Sequence, residues 1–159
     1  MLEKEIFKTV IKNTPLVSID LCIVWDGQVL LCKRTNEPLK GEWFTPGGRI
    51  HKNETWQGAL LRIAKVELGL SGIAAQDFGL MGMWDHFYSN SAIDQHTSTH
   101  YVNLPHHVRF QSKPQITLDD QHAEFKWFDL AVVSSDKKFH PYMHNYATWL
   151  LNKIGDTHD

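Results

Sequence analysis

The sequence predicts a mixed α/β fold in which helices flank a sheet, and three features predict it. Two apolar runs, Leu16 to Trp25 and Gln28 to Arg34, are separated only by Asp26-Gly27, the signature of a β-hairpin with a type I′ turn. Residues 55–68 place Leu60, Ile63 and Ala64 at helical spacing and read as an amphipathic helix. From residue 78 the pattern reverts to short β segments, then closes with a helix over Met143 to Lys153 that stripes Tyr146, Leu150 and Ile154.

The 159 residues are expected to form one domain, 1–159, around one core. Net charge is −2 and no Lys/Arg block exceeds two residues, which argues against a nucleic-acid surface. The segment Met1 to Phe7 lacks the apolar core of a signal peptide, and no apolar run nears the ~20 residues that cross a bilayer. Cys22 and Cys32 sit inside apolar runs and read as buried free thiols, which fits a reducing cytoplasm.

In chain order, Glu5 to Lys12 reads as a short helix with Ile6 and Val10 on its core stripe, ended by Thr14-Pro15. Leu2 and Phe7 are open between core packing and a base pocket. Asp20 interrupts the first strand's apolar run, and a carboxylate there is costly to bury without partners. It is either paired structurally with an arginine or functional. Arg34 emerges at the end of the second strand, where a guanidinium can fork onto phosphate oxygens. Pro46-Gly47-Gly48 makes a tight turn, with Arg49 beside it as a cation that can neutralise an anionic group. Asn53 or Thr55 caps the following helix. Glu54 and Arg62 are read as structural partners across the loop–helix turn.

After that helix, Phe78 to Tyr88 is β in character, Asn90 to Thr97 is a polar loop, and Thr99 to Leu104 and His107 to Phe110 are further strands. On spacing alone, His86 and Tyr101 are core residues. No HxH or HExxH spacing suggests zinc. A histidine side chain ordinarily changes charge near pH ~6.5, which suits His122 to a general base near neutral pH.

Gly48, Glu54, Arg62, Glu67, Gly69 and Leu70, entered through Trp43-Phe44-Thr45-Pro46-Gly47, resemble the Nudix box, Gly-x5-Glu-x7-Arg-Glu-U-x-Glu-Glu-x-Gly-U, with U bulky and apolar. The resemblance implies an α/β/α sandwich with a mixed curved sheet and a loop-helix-loop box. It also assigns a metal ligand to the Gly47 carbonyl. The box departs from the family pattern, however, at two of its carboxylates. Positions 63, 66 and 67 lie near one another on a helix, and most members carry three carboxylates there as a cage for Mg²⁺ or Mn²⁺. Here they read Ile63, Val66 and Glu67.

The same loss characterises the GDP-mannose mannosyl hydrolases, which this chain resembles well beyond the box. Pro15-Leu16-Val17-Ser18-Ile19-Asp20, Lys33-Arg34-Thr35-Asn36, Trp84-Asp85-His86-Phe87-Tyr88, Thr99-His100-Tyr101-Val102 and Gln121-His122 carry that likeness. It implies a guanine site at Leu2 and Phe7, and Asp20 and His86 near the sugar. It further implies phosphate contacts from Arg34 and Tyr101, one Mg²⁺ per subunit on Gly47, Glu67 and Gln121 with Mn²⁺ able to substitute, His122 as the base, and a homodimer. Phe125 stands where comparable members carry tyrosine. The implied reaction is GDP-mannose + H₂O → GDP + mannose, with GDP-glucose as a second substrate. Two rivals are a conventional pyrophosphatase, with Asp119, Asp120 or Glu124 as replacement carboxylate, and a non-catalytic nucleotide-binding module.

Overall fold

Every other element is placed by one long strand, β1 (Leu16–Trp25). It turns through Asp26 and Gly27, at φ 51° and 72°, into β2 (Gln28–Arg34); two positive φ values in succession are what a type I′ hairpin needs. β1 also pairs antiparallel with β4 (Gly47–Arg49) and parallel with β7 (Thr99–Asn103) and β8 (His106–Phe110). β2 carries β3 (Trp43–Phe44) and β9 (His122–Asp129), β7 carries β6 (Trp84–Tyr88), and β8 carries β5 (Gly79–Leu80). The computed structural model describes residues 2–120 and 122–156, and among them nine strands form this single mixed sheet.

Side-chain alternation along β1 sorts the core into two layers. Ile19, Leu21 and Ile23 pack with Ala59, Leu60, Ile63, Ala64 and Leu68 of helix α2 (Trp56–Leu68). Cys22 and Val24 face the opposite way, with Met143, Tyr146 and Leu150 of α4 (Pro141–Asp156) and Val133 of α3 (Leu130–Ser135). The remaining α-helix is α1 (Lys4–Asn13), and a 3-10 turn spans Ala75–Asp77. The layers are therefore helix, sheet, helix. Asp20 shares the parity of Cys22, so its side chain is directed into the layer that holds Tyr146. That parity builds the site.

α2 starts where the Thr55 hydroxyl accepts the Gly58 N–H at 3.0 Å and stops at left-handed Gly69, φ 67°. Thr55 is thus the cap, while Asn53 holds a positive φ of 68° in the turn before it. In α1 the expected core register is shifted: Ile11 is buried, whereas Ile6 is 49% exposed. Both cysteines are free and buried, as expected. Among the described residues, no helix is long and apolar enough to cross a membrane.

Candidate active site

The open face between α1, the β4 turn and β6–β7 forms a cleft of about 320 Å³, within the ~300–1,000 Å³ typical of small-molecule sites. Asp20, Arg34, Gly47, Arg49, Glu67, His86 and Tyr101 all line it, although they come from six separate segments of the chain. Phe7 lines it too, with the Arg49 guanidinium 4.7 Å from its ring centre. Leu2, paired with Phe7 in the sequence reading, is 46% exposed and lies outside the lining.

Gly47 occupies a position only glycine fits. It pairs with Asp20 across β1 and β4, and a Cβ there would run into the Asp20 carboxylate and the Ile19 carbonyl. Its N–H donates to Glu67 Oε2 at 2.9 Å, tying β4 to the buried end of α2. Gly48 rests over Ile63, whose side chain would sit 3.3 Å from a Cβ added there. The family's first helix carboxylate is thus replaced by core packing beneath β4. Val66 is 59% exposed, because ~60° of helical rotation carries it off the face shared by Ile63 and Glu67. Glu54 and Arg62 are the structural pair expected, joined by two hydrogen bonds of 2.7 and 3.0 Å, with Arg62 also donating to the Arg49 carbonyl at 2.9 Å. Arg62 holds the Glu54 carboxyl down at about 2.

Asp20 is the centre of a buried polar network. Asn103 Nδ2 donates to its Oδ2 at 2.6 Å and the Tyr146 hydroxyl donates to the same oxygen at 2.7 Å. Asn103 Nδ2 also lies 3.1 Å from His86 Nδ1, and the His86 ring stacks on Tyr142 at 3.9 Å. Burial pushes the His86 imidazole down to about 4, so it is neutral at physiological pH. Asn103 and Tyr146 carried no functional signal in the sequence, since they reach Asp20 from β7 and α4. The alternative partner considered for Asp20, an arginine, is present only as the charge of Arg34 in the same cleft.

Burial raises the Asp20 carboxyl from 3.8 to about 6, partly offset by the Tyr146 and Asn103 donors. The folded protein therefore holds this proton more tightly than the unfolded chain, so stability falls as pH rises through that window. Above it the buried charge costs ~3 kcal/mol, at ~1.36 kcal/mol per pH unit. Asp20→Asn should raise the melting temperature at pH 7 and leave it nearly unchanged at pH 4. Thermal scans giving equal shifts at both values would show that the charge is not what the substitution relieves.

Glu67 is buried as well, and burial, followed by the nearby charge of Asp119, pushes its carboxyl up to about 8, against the Gly47 N–H that favours the ionised form. A desolvated carboxylate with further carboxylates in electrostatic range is a group that a hard cation would relieve, so the donor chemistry fits one divalent ion. Among the described residues, no three His, Cys, Asp or Glu side chains are grouped so as to hold a metal by themselves. Gln121, the third expected ligand, lies outside the described residues. His122 is buried at the head of β9, opposite Arg34 in register, and is not part of the cleft lining. Its Nδ1 lies 2.8 Å from Asp119 Oδ1. Phe125 pairs with Cys32 on β2, and its ring is partly exposed.

Residues 15–150 match the NUDIX domain. The chain belongs to the Nudix family. Nudix hydrolases act on nucleotide-linked substrates and generally use divalent metals such as Mg²⁺ or Mn²⁺. Among relatives, the low-salt glycan biosynthesis protein Agl8 of Haloferax volcanii is 37% identical over 140 residues, covering 88% of this chain and 85% of its own. An ADP-ribose pyrophosphatase of Methanocaldococcus jannaschii is 43% identical over 56 residues, covering 35% of this chain and 33% of its own. The fold is shared with the MutT NUDIX hydrolase of Burkholderia pseudomallei, at a TM-score of 0.69 and 25% identity, covering 86% of this chain and 98% of that one. In this Nudix domain the box keeps its Glu54–Arg62 brace, and of its helix carboxylates only Glu67; the tight turn expected at Pro46-Gly47-Gly48 is instead the start of strand β4, where Gly47 is required by its close approach to Asp20.

Proposed function

We propose that this Nudix hydrolase cleaves GDP-mannose, and GDP-glucose as a second substrate, to GDP and the free hexose. The observation that carries the reading is the composition of the cleft. Three arginines line it, Arg34, Arg49 and the Glu54-paired Arg62, with a single box carboxylate, Glu67, where the usual cage has given way to Ile63 and Val66. Such a site is rich in charge for a leaving diphosphate and poor in ligands for a multi-metal attack on phosphorus. The likeness to a protein named for glycan biosynthesis supports a sugar-linked nucleotide.

In this reading Phe7 receives the base, and Arg34, Arg49 and Tyr101 meet the diphosphate oxygens. Arg34 is already braced, its Nε donating to the Pro38 carbonyl at 2.8 Å, so little freedom is lost when its other nitrogens bind. Asp20 and His86 face the hexose. One Mg²⁺, held by Glu67, the Gly47 carbonyl and Gln121, would supply further positive charge for the departing GDP. His122 takes a proton from the water that attacks the anomeric carbon. Attack opposite the leaving group inverts the anomer, by the geometry of inverting glycoside cleavage. As part of the same proposal, residues 1–159 act as one domain, in the cytoplasm, as a homodimer.

A conventional pyrophosphatase is the second reading, and one observation favours it: the charge of Asp119 is felt at Glu67, as a substitute metal carboxylate's would be. The bond that breaks separates the two. Hydrolysis of GDP-mannose with Mg²⁺ in ¹⁸O-labelled water should place the label on the anomeric hydroxyl of mannose and none on GDP. Label in GMP or in a sugar phosphate would mean attack at phosphorus, and the second reading would stand.

A further inference from the structure

The Asp119–His122 pair is a feature of the fold that the residue types alone do not assign. Asp119 Oδ1 and His122 Nδ1 are 2.8 Å apart, with side chains only 14% and 3% exposed. An ionised carboxylate can only accept, so the imidazole nitrogen facing it must carry the proton. In a neutral imidazole the other nitrogen, Nε2, is then the one that bears the acceptor lone pair. The two residues are three apart in sequence and join the loop to the start of β9, so their mutual orientation is set locally.

We propose that Asp119 is a positioning residue that locks His122 in the Nδ1–H tautomer, leaving Nε2 as the atom that accepts a proton from water. The proposal rests on the reading of His122 as the base, and it assigns Asp119 to His122 rather than to the metal. A carboxylate in this position fixes the tautomer and ring orientation of the imidazole and is itself never protonated in the step. The proton moves from the attacking water to Nε2, and the Nδ1–H stays where it is.

Two measurements test it. In ¹⁵N-labelled protein, the ring nitrogens of His122 should show Nδ1 protonated and Nε2 free, and Asp119→Asn should change that pattern. Finding Nε2 protonated in the unmodified protein overturns the proposal whatever the activity. In steady-state kinetics with GDP-mannose, Asp119→Asn should lower kcat by about 10–100-fold, the range typical of residues that orient an imidazole from behind, with KM and the Mg²⁺ midpoint within about twofold. The Asp119→Asn, His122→Gln double variant should be no slower than His122→Gln alone, because both remove the same function. Multiplying losses, or a raised Mg²⁺ midpoint, would make Asp119 an independent group or a ligand and overturn the assignment. A full-speed His122→Gln with the Nδ1–H tautomer intact would instead overturn the reading of His122 as base.

Discussion

Glu67→Gln is expected to lower turnover by at least ~100-fold while making the metal-free protein more stable. The first half follows from charge. Glu67 is the sole carboxylate left of the box cage, and neutralising it removes the anionic ligand for the proposed ion. Several kcal/mol of transition-state stabilisation depend on such an ion, and ~2.7 kcal/mol is a hundredfold in rate. The second half follows from burial. With the Glu67 carboxyl raised from 4.5 to about 8, the folded protein binds that proton more tightly than the unfolded chain does. The cost of burying the charge is absent below about 4.5, grows with pH and is complete above about 8. Glutamine keeps a carbonyl oxygen for the Gly47 N–H and carries no charge to desolvate. Melting temperatures at pH 8.5 in chelator, together with kcat in Mg²⁺, check both halves. A variant that is inactive and also less stable would mean that Glu67 is a structural residue.

What the sequence disclosed and what it hid divide by sequence distance. The Asp26-Gly27 turn, the Thr55 cap and the Glu54–Arg62 brace are each settled within eight residues or fewer, and the local pattern contains all of the physics. Asn103 and Tyr146 meet each other across 43 residues, and Tyr146 reaches Asp20 across 126. Tyr146 was legible as a core residue of the last helix, and it is buried as that stripe required. Its hydroxyl acquires a role only because Asp20 breaks the apolar parity of β1 on the same side of the sheet. The shift of α1 from Ile6 to Ile11 has a similar origin. Both are apolar, and the choice between them is made by the surface against which the helix lies. α3 escaped the sequence reading altogether, since six residues without a capping side chain leave no periodic signal to detect.

The candidate site shows the same division. Gly47, Arg49 and Glu67 are carried by one strand–loop–helix motif, β4 to α2, whose spacing brings them together, and Arg34 ends β2. Asp20, His86 and Tyr101 reach the same cleft through sheet pairing, with Asp20 beside Gly47 and His86 opposite Tyr101. Leu2 does not join them. It precedes α1, outside any strand or helix, with its side chain exposed.

His122→Gln should lower kcat by about 10²–10⁴-fold, the usual contribution of a positioned general base. The argument is by function and by fold. The helix of the box retains no second carboxylate to activate water, Glu54 is taken up by Arg62, and His86, buried and pushed down to about 4, is committed to the Asn103 and Tyr142 contacts. His122 instead stands across from Arg34 on the neighbouring strand. Its Nδ1 is already engaged by Asp119, which leaves Nε2 for proton transfer. Glutamine at this position preserves size and a polar end but cannot accept and hold the proton. KM for GDP-mannose and the affinity for Mg²⁺ should stay close to the unmodified values, because neither substrate docking nor the metal uses the ring. A loss confined to KM, or to Mg²⁺ affinity, would place His122 among the binding groups and leave the attacking water to another base.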